Sequence, residues 1–119
     1  MNVNQIIEGA LSDLVNGNIW PLSCPLETPA AEYIVYNPEL EKPEIFGDDT
    51  DLEWTHYMQI HWYKKGDGKK PANYIEKRKE IRSRLRNAGF TMSDIQEFFE
   101  KDTGFTHLCF SCNIEEEMQ

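Results

Sequence analysis

Residues 52–63 read LEWTHYMQIHWY, twelve positions with no Gly or Pro and with aromatic and aliphatic side chains recurring throughout. A period of two puts Leu52, Trp54, His56, Met58, Ile60 and Trp62 on one face of a long strand. Glu53, Thr55, Tyr57, Gln59, His61 and Tyr63 fall on the other. A strand this long, apolar on one side, needs partner strands and something to cover it. The partners are legible. Residues 30–37 (AAEYIVYN) are rich in β-formers and are followed by Pro38. Residues 90–99 and 105–115 read as a hairpin joined by Glu100 to Gly104, with Leu108, Phe110, Cys112 and Ile114 sharing a face.

The cover is legible as well. In residues 2–15, Val3, Ile6, Ile7, Ala10, Leu11 and Leu14 recur at helical spacing, with Asn2 or Asn4 to cap the start and Asn16-Gly17 to end it. Residues 72–88 put Tyr74, Ile75, Ile81, Leu85 and Ala88 on one helix side, after Pro71 and before the terminator Gly89. Residues 18–29 hold Pro21, Pro25 and Pro29 and read as an extended crossing without regular structure. The expectation is a single α+β domain over residues 1–119, in the order helix, strand, strand, helix, strand, strand. Its four-stranded antiparallel or mixed sheet carries both helices on one face. Trp54, Met58, Ile60, Phe110 and Ile114 are the expected sheet side of the core, with Leu11, Ile81 and Leu85 packed on them.

Charge narrows the function classes. Twelve Lys and Arg against twenty-one Asp and Glu leave a net charge of −9, which disfavours a dedicated nucleic-acid binder. The sign is unevenly spread: residues 64–86 hold ten of the twelve basic residues and only Asp67, Glu76 and Glu80 among the acids. Fields of opposite sign on one small body favour association with complementary surfaces, another copy included. Residues 38–51 carry six acids and two prolines and read as a mobile acidic loop. With a mean hydropathy of −0.63 and an acidic, polar start, neither a membrane span nor a signal peptide is expected.

Catalytic chemistry finds little support. The segment has no GxGxxG, GxxxxGK[ST], GxSxG or HExxH. Asp48-Asp49-Thr50-Asp51 lacks the spacing of a calcium loop. Cys109 and Cys112 form a CxxC, but positions three apart on a strand point to opposite faces, so ordinary reduced thiols are expected. Strand parity likewise separates His56 from His61, and His107 faces away from Leu108 and Phe110. No catalytic residue, metal or cofactor is therefore expected. The sharpest local signal is the basic helix, residues 77–86. Its face reads as a subunit or partner contact, as a solvated face, or as a phosphate binder.

Several pieces together resemble a known family. Trp20-Pro21-Leu22 leads into AAEYIVYN; LEWTHYMQIHWYKK follows, then NYIEKRKEIRSRLRNAGF, then DIQEFFEKDTGFTHLCFSCNIEEE. This is similar to the small tail-terminator or tail-to-head joining proteins of long-tailed phages and Firmicutes prophages, over about residues 16–117. The most specific part is Gly89-Phe90 followed by Glu100 to His107. The resemblance implies a non-enzymatic structural protein of the virion tail, assembled in the host cytoplasm. It implies a ring, usually a hexamer, that caps the tail tube, ends its polymerisation and joins it to the head. Partners would be other copies, the tail-tube protein and the head connector, with DNA only passing through the lumen. The competing readings are another head-completion or neck component, or a small nucleic-acid-binding regulator using the basic helix. For the ring, the expected contact sets Lys77, Arg82, Arg84 and Arg86 against acids of the 38–53 segment, such as Asp48, Asp49, Asp51 and Glu53, or against Glu97 and Glu100.

Overall fold

The computed structural model describes residues 1–45 and 52–118. The chain runs α1 (Val3–Leu11), a 3-10 turn (Ser12–Val15), β1 (Ile19–Pro21), β2 (Glu32–Ile45), β3 (Leu52–Lys65), α2 (Ile75–Asn87), β4 (Thr91–Glu100) and β5 (Phe105–Met118). The strands form one mixed sheet in the order β1-β2-β3-β5-β4. β1 pairs parallel to β2, and the other three pairings are antiparallel. The α+β class and the placement of both helices on one face agree with the sequence. The number of strands does not.

The fifth strand is the segment read as irregular. Ile19, Trp20 and Pro21 pair with Ile34, Val35 and Tyr36. Pro21 is tolerated because it ends a short edge strand, where its missing N–H removes no ladder bond. A similar correction applies to Pro38. β2 does not stop there but continues to Ile45, with a register shift between Pro38 and Leu40. β1 has ended by then, so Pro38 lies on an open edge and a bulge absorbs the break. Residues 39–45 of the expected loop are therefore strand; residues 46–51 lie outside the described residues.

The core lies between the sheet and the two helices. α1 is capped by the Asn2 side chain, which accepts from the Gln5 N–H at 3.1 Å, and it buries Val3, Ile7 and Leu11. α2 buries Ile81 and Leu85. It ends at Ala88, where Gly89 takes φ +107 and the Phe90 N–H returns to the Leu85 carbonyl at 3.0 Å. Beneath them Ile34, Tyr36, Ile60, Trp62, Leu108 and Phe110 are almost fully buried, with Met58 and Ile114 beside them. Two core assignments differ. Trp54 is only half-buried, since it lies toward the end of the sheet that the helices do not reach. Ile75 is exposed, because α2 starts there rather than at residue 72, which turns its side chain outward.

Several polar groups find partners in this layer, whereas the buried Trp54 Nε1 finds none among the described residues. The Trp62 indole N–H donates to Glu32 at 2.9 Å, and Lys77 meets the same carboxylate at 3.2 Å. The Tyr36 hydroxyl donates to Glu8. At one end, the β3–α2 connection leans on the β4–β5 hairpin, where the Gly66 N–H donates to the Gly104 carbonyl at 2.7 Å. A Cβ at Gly66 would stand 2.1 Å from the Lys70 carbonyl oxygen, so the approach admits only glycine. Three strands of fourteen residues make the molecule long, 58 × 24 × 22 Å.

Candidate functional site

The face of the sheet away from the helices is the candidate site. Period two along each strand brings Trp20, Tyr33, Tyr63, His107 and Phe98 to this side, one from each of β1, β2, β3, β5 and β4. Register then aligns them. Tyr33 lies opposite Tyr63, Tyr63 opposite His107, and His107 opposite Phe98. The result is a row of rings crossing the whole sheet. Tyr33 and Tyr63 stack with centroids 4.8 Å apart, and Tyr63 and His107 stack at 4.2 Å. Trp20 extends the row at 6.2 Å from Tyr33, and Phe98 ends it at 5.5 Å from His107. Phe105 meets Tyr33 edge-on at 6.0 Å. Cross-strand aromatic pairs of this kind add to strand pairing. The side chains also cover one another, so most stay half-buried while Phe98 remains 47% exposed.

His61 sits in the next row, and its Nδ1 lies 2.9 Å from His107 Nε2. At that distance one ring nitrogen donates and the other accepts, so the accepting ring is neutral and the two cannot both be protonated. Burial lowers the His61 pKa. Burial and the neighbouring His61 push His107 down to about 4. Burial, with Tyr33 and Glu100 nearby, pushes the Tyr63 hydroxyl up to about 12. These shifts describe rings withdrawn from water and flanked by acids. Burial first, then Glu39 and Asp94, raise the Cys109 thiol on this same face. Cys112, three residues on, lies in the core on the opposite side and is pushed up to about 12, chiefly by burial.

The histidines therefore divide as strand parity requires. His61 and His107 meet on the open face, whereas His56, on the helix side, lies 3.0 Å from Glu116. Among the described residues, no group of three or more His, Cys, Asp or Glu side chains is placed to hold a metal. No helix among them is long and apolar enough to cross a membrane.

The basic helix lies on the other side of the molecule, and its charges divide into two sets. Lys77 donates to the Leu14 carbonyl at 2.9 Å besides meeting Glu32. Arg84 meets Asp13 at 2.7 Å, Glu80 at 3.1 Å and the Ala10 carbonyl at 3.2 Å. Both tie α2 to neighbouring parts of the same chain. Arg78 pairs with Glu97 at 3.2 Å, and Tyr74 donates to that carboxylate at 2.8 Å. Arg82 and Arg86, one turn apart, are exposed and make no ion pair among the described residues. They border a shallow cleft of about 320 Å³ with Ser83 and Asn87 and a second of about 500 Å³ with Gly89 to Met92. Of the expected acidic partners, Asp48, Asp49 and Asp51 lie outside the described residues, as does the Glu53 side chain.

The ring row was missed at the level of sequence, although its members were not hidden. Tyr63, His61 and His107 could each be assigned to the open face by parity. What was absent was the register that puts Tyr33, Tyr63, His107 and Phe98 side by side, and the strand that carries Trp20.

No protein-family model matches the chain, and no curated protein matches it either. Among solved structures, the chain is similar in fold to a protein from the virion of a native gene transfer agent particle. That likeness has a TM-score of 0.63 at 14% sequence identity and covers 98% of this chain and 92% of the other.

Proposed function

We propose that this chain is a structural protein of a phage-type virion, forming a ring that caps the tail tube, ends its polymerisation and joins it to the head. The observation that carries this reading is the likeness in fold to a virion protein, which spans nearly the whole of both chains. The sequence resemblance to tail terminators points the same way. The surface supports it. A row of rings lies open on one side, and Arg82 and Arg86, which make no ion pair among the described residues, stand exposed on the other, so each copy offers two different patches to its neighbours. In this reading there is no catalytic step. The partners are other copies, with a hexamer expected, together with the tail-tube protein and the head connector, and DNA passes only through the lumen. The proposed subunit contact draws on Arg82 and Arg86 more than on Lys77 and Arg84, which already have partners within the chain. Asp48, Asp49, Asp51 and Glu53 remain proposed acidic partners.

Removing the gene from a particle-producing strain tests this reading by electron microscopy. The expected result is tails of uncontrolled length lacking heads, restored by the gene supplied in trans. Tails of normal length without heads would instead assign the chain to the neck. Normal particles would reject a virion role. A nucleic-acid regulator is less favoured, because Lys77, Arg78 and Arg84 are taken up by contacts within the chain. Steeply salt-dependent binding to duplex DNA would revive it.

A further inference from the structure

We infer that copies of this chain associate head to tail, with Arg82 and Arg86 of one copy seated on the ring row and on Asp94 and Glu100 of the next. The inference rests on the ring reading and supplies its contact surfaces.

The acceptor side is built by β4. Asp94, Gln96, Phe98 and Glu100 alternate onto the open face, opposite Ser111, Cys109, His107 and Phe105 of β5. Phe98 thus projects from the row with an acid two residues to one side and another four residues to the other. The described bases on this face are few: Lys65 lies at the end of the row, opposite Phe105. His61 and His107 are paired to each other and add no charge at neutral pH. A flat aromatic surface beside carboxylates is what a guanidinium recognises, because it stacks on ring faces and bonds carboxylates in the same plane. Among the described residues, Asp94 accepts from Gln96 at 3.1 Å and Glu100 from the Thr103 hydroxyl at 3.1 Å, and neither meets a cation.

The donor side is α2, which packs on the opposite face of the sheet. Arg82 and Arg86 point away from the buried Ile81 and Leu85 and lie between two shallow clefts. Donor and acceptor are therefore on opposite sides of a two-layer molecule. Two copies cannot satisfy both patches by a twofold axis through either one, so the contact is heterologous, and the proposed ring requires that the rotation from copy to copy closes. Like-charge repulsion between two acid-flanked faces disfavours the face-to-face alternative.

Two charge-reversed variants of the full chain test this. One carries Arg82→Glu and Arg86→Glu; the other carries Asp94→Lys and Glu100→Lys. Light scattering follows mass from micromolar to millimolar concentration, and thermal unfolding checks that each variant is folded. The expected result is association of the wild type, weakened by raising salt from about 0.05 to about 0.5 M. Each variant alone should associate about tenfold more weakly or worse. An equimolar mixture of the two should regain the wild-type mass, because in an alternating ring of even number reversed helix meets reversed sheet at one contact and native helix meets native sheet at the next. Phe98→Ala, which removes an exposed ring without touching charge, should also weaken association. Variants that assemble like the wild type alone, or a mixture that fails to recover, would overturn the contact. A wild type that stays monomeric throughout would overturn it too. Uncontrolled tail length on gene removal would still stand in any of these cases, so the face assignment and the virion reading fail separately.

Discussion

The two faces of the sheet are drawn from alternate residues of the same strands, yet they are finished in different ways. On the helix side Ile60, Trp62, Leu108 and Phe110 have no exposed surface left, because two helices and the 3-10 turn lie over them. On the open side Tyr33, Tyr63, His107 and Phe98 are covered by one another and by Trp20, Phe105 and His61, with no second layer of helices over them. The first arrangement withdraws whole side chains from water and accounts for much of the stability of the fold. The second stabilises strand pairing modestly and leaves ring faces available. The difference teaches that the same hydrophobic alternation serves folding where a second layer exists and serves contact where it does not.

That contrast breaks first if the core face is not the core. Phe110→Ala should cost about 3–5 kcal/mol in chemical denaturation, whereas Phe98→Ala on the open face should stay within about 1 kcal/mol. Comparable losses at the two sites would mean that the faces are not as different as they look. Next in size is Gly66→Ala. Its Cβ would strike the Lys70 carbonyl, so a loss of about 1–3 kcal/mol is expected, and a neutral result would show that the β3–α2 connection shifts freely.

The open face should also be the more sensitive to acid. The folded His107 pKa, about 4, lies below its ordinary value of 6.5. Between those values the unfolded chain binds a proton that the folded chain refuses, so stability is full above about pH 6.5 and falls toward pH 4. His107→Phe should flatten that part of a melting-temperature profile, and an unchanged slope would locate the acid sensitivity elsewhere. The smallest effect separates the two kinds of arginine on α2. Arg84→Ala should lower the melting temperature measurably, since it releases Asp13 and the Ala10 carbonyl. Arg82→Ala should leave it unchanged, and equal effects would show that Arg82 has a structural partner after all.

Sequence alone determined the alternation of β3, the buried faces of α1 and α2, the β4–β5 hairpin and the uneven charge. Each depends on spacing within one segment: two for a strand, three and four for a helix, a glycine at a turn. It also separated His56 from His61. Only the tertiary structure decided what depends on how distant segments meet. A three-residue parallel strand at Ile19–Pro21 is too short to show a period, and its pairing with β2 is what makes it a strand. Pro38 reads as a stop until the neighbouring edge is known to be open. Lys77 and Arg84 look like Arg82 and Arg86 along the helix, and only the docking of α1 and β2 shows which charges are already matched. The ring row is the strongest case, because parity places each ring on a face while register, a relation between strands, brings them into one line.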